Sequence, residues 1–346
     1  MTVMSDIVAR PPLELRGKRV WVSGHRGMVG SALVRRLARE GCTLLIADRT
    51  EVDLTSQAAT GDWMRRERPE IVFAAAGRVG GIVANATYPA EFLYENLMIA
   101  ANVIHAAHQI GVEKLLYLGS SCIYPRDTGQ PIREDQLLTG ALEKTNEAYA
   151  IAKIAGVKLV ESYARQYGCR FISAMPTNLY GPHDNFDLET AHVLPALIRR
   201  IHEAKVRGQA TVEIWGSGRP CREFLHVDDL ADACILAMRR YEDPTPINIG
   251  TGSDVSVADL ARLVAKAVGY SGAFAFDTQR PDGTPRKLLD VGRITRLGWQ
   301  AGIDLDSGIR NTYRWWLDEA RRTGSDGRRD GERSPSGRSS IALALG

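Results

Sequence analysis

Cysteine is scarce in this chain. The five residues, Cys42, Cys122, Cys169, Cys221 and Cys234, are odd in number, scattered and free of any C-x-x-C spacing. That excludes a disulfide framework and argues for reduced thiols in a cytoplasm. Metal sets are lacking as well. His105 and His108 could face one ion, but they sit in the apolar helical run Ala100 to Ile110 with no further ligand nearby, so a packed helix explains them better and no metal is expected. Charge of one sign is missing: 44 basic residues against 41 acidic ones leave a formal net charge of +3, with no global field to recommend nucleic acid or a membrane surface as partner. No run approaches the roughly 20 apolar residues of a spanning helix, and Met1 to Arg16 lacks the apolar core of a signal peptide.

What is present is alternation. The 346 residues, 44% hydrophobic and 25% charged, suffice for two domains around a sizeable core. Lys18 to Ser23 is a short β-branched run that meets glycines and then the helical pattern Met28 to Glu40, and Thr43 to Ala47 is the next apolar run. The rhythm continues through Ile71 to Ala75, a long helix from Pro89 to Gln109, Lys114 to Gly119, a helix over Tyr149 to Tyr167, and Arg170 to Met175. Continuous apolar strands separated by helices predict an α/β fold, a Rossmann-type doubly wound parallel sheet. From about Gly181 the rhythm breaks, which suits a smaller interleaved α/β substrate-binding domain. The expected division is a dinucleotide-binding domain over 17–181 with return elements at about 224–250, and a substrate-binding domain over 182–223 and 251–320. Residues 1–16 read as an extension. The Gly-, Ser-, Asp- and Arg-rich residues 322–346 read as a disordered tail.

Chemistry begins at Gly24-His25-Arg26-Gly27-Met28-Val29-Gly30, directly after a strand and before a helix. Glycines there permit a tight turn and close backbone approach, so a dinucleotide pyrophosphate can accept hydrogen bonds from the helix N-terminus. The spacing is one residue wider than G-x-G-x-x-G, and alone would also suit an ordinary turn. Asp48, at the end of the second strand, agrees with nucleotide binding. Its carboxylate suits the ribose 2′-OH of NAD, whereas Arg49 beside it and Arg26 in the glycine loop suit the 2′-phosphate of NADP. Two guanidinium groups against one carboxylate favour NADP.

Tyr149-Ala150-Ile151-Ala152-Lys153 is the Y-x-x-x-K of the chain. Residues four apart share a helix face, so phenol and ammonium can converge, and the lysine charge is expected to lower the phenol pKa. Leu118-Gly119-Ser120-Ser121-Cys122 ends a predicted strand, where open parallel sheets bind ligands. Ser120 can hydrogen-bond a substrate oxygen there. Ser120, Tyr149 and Lys153 together predict carbonyl reduction.

With these residues, and with Val79-Gly80-Gly81-Ile82-Val83-Ala84-Asn85, Ser120-Ser121-Cys122-Ile123-Tyr124-Pro125, Asn178-Leu179-Tyr180-Gly181-Pro182-His183-Asp184-Asn185 and Pro281-Asp282-Gly283-Thr284-Pro285-Arg286-Lys287, the chain resembles the extended short-chain dehydrogenases/reductases, specifically their GDP-L-fucose-forming sugar-nucleotide branch. The resemblance covers about Lys18 to Asp318. It implies conversion of GDP-4-keto-6-deoxy-D-mannose to GDP-L-fucose by 3,5-epimerisation and NADPH-dependent reduction at C4. A 4-keto group acidifies C3 and C5, and inversion needs one group to remove a proton and another to return it from the opposite face. The resemblance assigns Cys122 as base and His192 as acid, with Lys153 also holding the nicotinamide ribose. It extends the cofactor-binding set to Asp53, Leu54, Leu118, Gly119, Ser121, Pro176, Thr177, Asn178, Leu179 and His192. Substrate contacts carry over to Arg200, Trp215, Arg222 and Asp282, with Asn178 facing the nucleotide. Arg286-Lys287 adds charge for the pyrophosphate, and a homodimer through sheet-flanking helices is expected. Two competing readings are a related enzyme acting on another 4-keto sugar nucleotide and a dinucleotide-sensing regulator. Intact Ser120, Tyr149 and Lys153 count against the second.

Overall fold

The central strands of the main sheet bury both faces. The computed structural model describes residues 11–323 apart from 189, 280, 281 and 283. Six strands, β1 (Arg19–Ser23), β2 (Thr43–Leu45), β3 (Ile71–Ala74), β4 (Lys114–Leu118), β5 (Phe171–Pro176) and β9 (Ile247–Ile249), form one sheet in the order β2-β1-β3-β4-β5-β9. Every pairing is parallel. Val20 and Val22 of β1, with Leu116 and Leu118 of β4, join one apolar cluster, while Trp21, Leu115 and Tyr117 join another across the sheet. Helices α1 (Met28–Leu37) and α7 (Val227–Arg240) cover the first face; α2 (Gln57–Glu67), α4 (Pro89–Gln109) and α5 (Glu147–Tyr167) cover the second. The short α3 (Ile82–Thr87) precedes α4. Two-sided cover is why the strands read as unbroken hydrophobic runs. Because β2 and β3 lie on opposite sides of β1, the connections leaving β1 and β3 diverge and open a crevice at the carboxyl ends of the strands.

A smaller lobe is built from β6 (Asn178–Tyr180), α6 (Val193–Val206), β7 (Thr211–Trp215), β8 (Cys221–His226), β10 (Asp254–Ser256), α8 (Val257–Val268), β11 (Ala273–Asp277), β12 (Arg286–Lys287) and α10 (Leu305–Thr323), while α9 (Gly292–Arg296) returns to the main sheet and adds Ile294 to its first-face cluster. Its core gathers Ile198 and Ile201 of α6, Ile214 of β7, Leu260 and Val264 of α8, and Ile309 and Trp316 of α10. The sequence of α8 shows why it folds. Leu260, Ala261, Val264, Ala265 and Val268 recur at helical spacing and are buried, the Ser256 hydroxyl accepts from the Asp259 N–H at 3.0 Å, and Gly269 at φ +74° ends the helix.

The lobes interleave. Within the returning segment at 224–250, α7 carries Leu230 and Ala231 onto the face that also holds Leu33 of α1, and β9 pairs with β5. By contrast, β8 pairs with β6, β10 and β12 in the smaller lobe. Residues 11–16, read from the sequence as part of an extension, pack Leu13 and Leu15 into the first core cluster. The expected tail lies almost wholly outside the described residues, since α10 runs to Thr323. No described helix is long and apolar enough to cross a membrane. His105 Nδ1 meets the Tyr163 hydroxyl at 2.7 Å and His108 Nδ1 meets Cys169 Sγ at 3.4 Å. No group of three His, Cys, Asp or Glu that could hold a metal ion occurs among the described residues.

Candidate active site

The turn after β1 is shaped by two demands that only glycine meets. Gly24 adopts φ +74°, and a Cβ on Gly30 would stand 2.1 Å from the Gly24 carbonyl oxygen. Gly27, the residue before α1, donates its N–H to that same oxygen at 3.0 Å. No acidic residue occupies the first turn of α1, so the positive end of the helix faces the crevice without a carboxylate of its own. At the end of the second strand the Asp48 carboxylate accepts from Arg26 Nη2 at 2.9 Å and from the Thr50 N–H at 2.8 Å. The Thr50 contacts, helped by the Glu51 N–H and the Arg26 charge, hold this carboxyl below its usual range. Asp53 is held down in the same way by Thr55, with Arg49 contributing.

Beyond β4 the chain turns at Ser120, whose hydroxyl accepts from the Cys122 N–H at 3.2 Å. From α5, Lys153 reaches under the turn and donates to the Leu118 carbonyl at 2.8 Å, with its ammonium 5.8 Å from the Tyr149 ring centroid. Ser120 stands near enough to the Tyr149 phenol to favour its ionised form. The expected lowering of the phenol pKa by Lys153 is not what the structure gives. Burial pushes the Tyr149 phenol above its ordinary value, nearby Cys122 adds to this, and Ser120 only partly opposes it. Burial also drives Lys153 from 10.5 down to about 8. A phenol kept protonated at neutral pH is in the state needed to donate a proton.

These elements enclose a cavity of about 630 Å³. Residues 24–30, Asp48, Arg49, Asp53, Leu54, 118–122, Tyr149, Lys153, 176–179 and His192 all line it, so every expected catalytic and cofactor residue opens on the same space. Asn178 is oriented by the Glu223 carbonyl, to which its Nδ2 donates at 2.8 Å. His192 immediately precedes α6, and burial lowers its imidazole pKa.

Sequence reasoning missed the wall formed after β3, where Gly77, Arg78 and Val79 line the cavity with Ser23, Glu95 and Ile99. Gly77 allows close approach, since a Cβ there would sit 2.7 Å from Asn96 Oδ1 and 3.5 Å from Lys153 Nζ. The buried Asn96 grips both the N–H and the carbonyl of Arg78, at 3.1 and 3.0 Å. A signal existed in the small-residue run Ala75-Ala76-Gly77 at the end of a strand.

Of the expected substrate residues, Asn178 lines that cavity, and Arg200, Trp215, Arg222 and Asp282 form a second group outside it. The Arg200 guanidinium stacks 5.1 Å from the Trp215 ring, which is 46% exposed. Asp282 accepts from the Ser217 N–H at 2.8 Å and its hydroxyl at 2.6 Å. Arg222 bridges the groups, since it lies within electrostatic reach of both Cys122 and Asp282. Burial lowers the pKa of Arg222 and of Arg200, a cost that an anionic ligand would offset. Arg286 is instead tied to Asp254 through two hydrogen bonds, and Pro281 and Gly283 of its segment lie outside the described residues.

The family model described as NAD dependent epimerase/dehydratase family matches residues 20–250. GDP-L-fucose synthase of Sinorhizobium fredii is 53% identical over 303 residues, covering 88% of this chain and 96% of that protein. GDP-L-fucose synthase of Escherichia coli is 54% identical over 311 residues, covering 87% and 97%. Among solved structures, a GDP-L-fucose synthetase from Naegleria fowleri bound to NADP superposes with a TM-score of 0.85 at 29% identity, covering 93% of this chain and 99% of that one.

Proposed function

The chain belongs to the NAD dependent epimerase/dehydratase family, and on that premise we propose that it converts GDP-4-keto-6-deoxy-D-mannose to GDP-L-fucose, inverting C3 and C5 and then reducing C4 with NADPH. The observation that carries this reading is the convergence of Ser120, Cys122, Tyr149, Lys153 and His192 on the cavity that the glycine turn also lines. A plain carbonyl reductase needs only the Ser–Tyr–Lys set. Cys122 and His192 supply the additional proton-transfer pair that inversion requires.

The residues present fit a dinucleotide. The Gly24 to Gly30 turn packs so closely that a Cβ on Gly24 or Gly30 would strike backbone, which keeps the cradle at the start of α1 tight beside the cavity, and Arg26 and Arg49 stand at the cavity wall for a 2′-phosphate. When bound, NADPH supplies the hydride that C4 accepts. For inversion, the Cys122 thiolate removes a proton as the C–H bond breaks and its electron pair enters the enolate, and His192, its lowered pKa making it a readier acid once protonated, returns a proton from the opposite face. For reduction, Ser120 holds O4 while the protonated Tyr149 phenol donates to it, and Lys153 supports the phenol and the nicotinamide ribose. Arg200, Arg222, Trp215 and Asp282 take the GDP portion; paired N–H donors of arginine match phosphate oxygens.

Two further parts of the reading concern the whole molecule. The five free cysteines suit a cytoplasmic protein. The sheet-flanking helices α4 and α5 carry the exposed apolar side chains Tyr94, Ile151 and Tyr167, available to a homodimer interface. Solution mass by light scattering tests the dimer.

Incubation with GDP-4-keto-6-deoxy-D-mannose and NADPH, followed by NMR of the product, tests the function. GDP-L-fucose is expected. NADPH oxidation without inversion at C3 and C5, or no turnover, would overturn the proposal. Replacing Cys122 by Ser is expected to abolish deuterium uptake from D2O at C3 and C5.

A further inference from the structure

The His192 ring has no side-chain cap bond at the start of α6, and burial is the only influence that moves its pKa. The ring opens on the cavity, and what the fold fixes is the backbone from which it extends. On the C-terminal side the His192 carbonyl accepts from the Ala196 N–H at 3.1 Å, which fastens it to the helix. On the N-terminal side the constraint comes from the other domain. Gly81 donates its N–H to the Thr190 carbonyl at 2.8 Å, two residues before the imidazole.

Gly81 does not need to be glycine for its conformation, since φ −66° and ψ −179° are open to any residue. It needs to be glycine for space. A Cβ there would stand 2.8 Å from the Ala191 carbonyl oxygen and 3.0 Å from that of Thr190. Both obstacles are backbone, so one chain would have to withdraw. The Gly81 side is itself fixed: buried Asn85 donates through Nδ2 to the Gly80 carbonyl at 2.8 Å and to the Gly81 carbonyl at 3.0 Å. The Thr190 side is braced as well, its N–H and hydroxyl both donating to Asp187 Oδ1, at 3.0 and 2.9 Å.

We infer that Gly81, held by Asn85, is a positioning platform by which the dinucleotide-binding domain sets His192 against the ketone for proton return. The inference rests on the reading of His192 as the acid of the epimerisation. Ser120 follows β4, and Tyr149 and Lys153 are carried on α5, so a disturbance at Gly81 separates inversion from reduction. Ordinary contact begins near 3.4 Å, and the backbone carrying Ala191 must give by about 0.6 Å to admit a methyl group. Since a misplacement of about 1 Å can cost roughly a hundredfold, a loss of about tenfold is expected.

The test compares Gly81→Ala, Asn85→Ala, His192→Ala and the Gly81→Ala/His192→Ala double variant. For each, deuterium uptake from D2O at C3 and C5 is measured by NMR beside NADPH oxidation with the 3,5-inverted ketone and NADPH affinity. Gly81→Ala is expected to slow uptake about tenfold with reduction and affinity changed less than about twofold. Asn85→Ala, which loosens the platform without adding bulk, should show the same split more weakly. The double variant should be no worse than His192→Ala alone, because both changes act through one group. Equal losses of uptake and reduction in both platform variants, or additive losses in the double variant, would overturn the inference. If His192→Ala itself keeps full uptake, the reading of His192 as the acid fails instead.

Discussion

Removing a single oxygen, by Tyr149→Phe, separates the two halves of the proposed reaction. The ring keeps its edge contact with Phe92, 6.3 Å between centroids, and Lys153 keeps its bond to the Leu118 carbonyl. Folding loses at most a weak polar interaction with Ser120, worth no more than about 1 kcal/mol, so the melting temperature should fall by a few degrees at most. The reduction loses its proton donor, a group worth about 10²- to 10⁴-fold. At about 1.4 kcal/mol per tenfold, that raises the barrier by roughly 3–5 kcal/mol, well beyond the cost to stability. NADPH oxidation at saturating keto-sugar nucleotide reads the reduction, and deuterium uptake at C3 and C5 reads the inversion, which Cys122 and His192 still perform. A variant that reduces within tenfold of the parent refutes the assignment of Tyr149 as donor. Parallel loss of uptake refutes the separation of roles.

Gly30→Ala drives a Cβ to 2.1 Å from the Gly24 oxygen and 2.6 Å from its carbon. Both are backbone atoms of the cradle, so NADPH affinity measured by fluorescence should fall by about a hundredfold, while an unchanged affinity would place the pyrophosphate elsewhere. Lys153 titrates in the fold at about 8 instead of 10.5. Its ammonium is thus lost as pH rises through about 8, and the reduction rate should decline along that limb. The stability contribution of the same group has the opposite sign. Between about 8 and 10.5 the unfolded chain binds the extra proton, so Lys153 favours the folded state increasingly with pH. A Lys153→Met variant should lose both trends in pH-dependent kinetics and denaturation, and a variant that keeps the alkaline decline in rate refutes the assignment. Asp48→Asn frees Arg26 from its carboxylate partner and removes a charge that repels a 2′-phosphate. The ratio of NADH to NADPH dissociation constants should rise, by less than about fivefold for a pair this exposed; a fall in the ratio refutes the argument.

Features that depend on neighbouring residues were legible in the sequence. The glycine turn could be read because its demands, a positive φ at Gly24 and a close approach at Gly30, arise between residues six apart. The spacing of Tyr149 and Lys153 implied one helix face, and α4 begins and ends at the expected Pro89 and Gln109. Helix α2 escaped notice because its buried residues, Thr60, Gly61, Trp63 and Met64, make no apolar stripe, although Ser56 caps it with a hydroxyl that accepts from the Ala59 N–H at 3.3 Å. The state of Tyr149 was misjudged for a related reason. Helical spacing announces the lysine but not the burial, which outweighs it and moves the phenol and the ammonium toward their neutral forms together.

The remainder depends on segments that meet only in the fold. Arg286 reads as a free cation until the fold sets it within reach of Asp254, which stands on β10 across β8 from its own strand β12. Asn96 reads as a polar residue on a helix until it closes on both backbone groups of Arg78. Gly81 is the sharpest case. Its own dihedral angles give no reason for a glycine, and the reason appears only with the carbonyl oxygens of Thr190 and Ala191 beside it. In a site assembled from two interleaved lobes, side-chain identity tells which groups can carry out the chemistry. Where those groups stand is decided by backbone contacts of this kind, and substitutions there should alter rates without touching any residue that handles a proton.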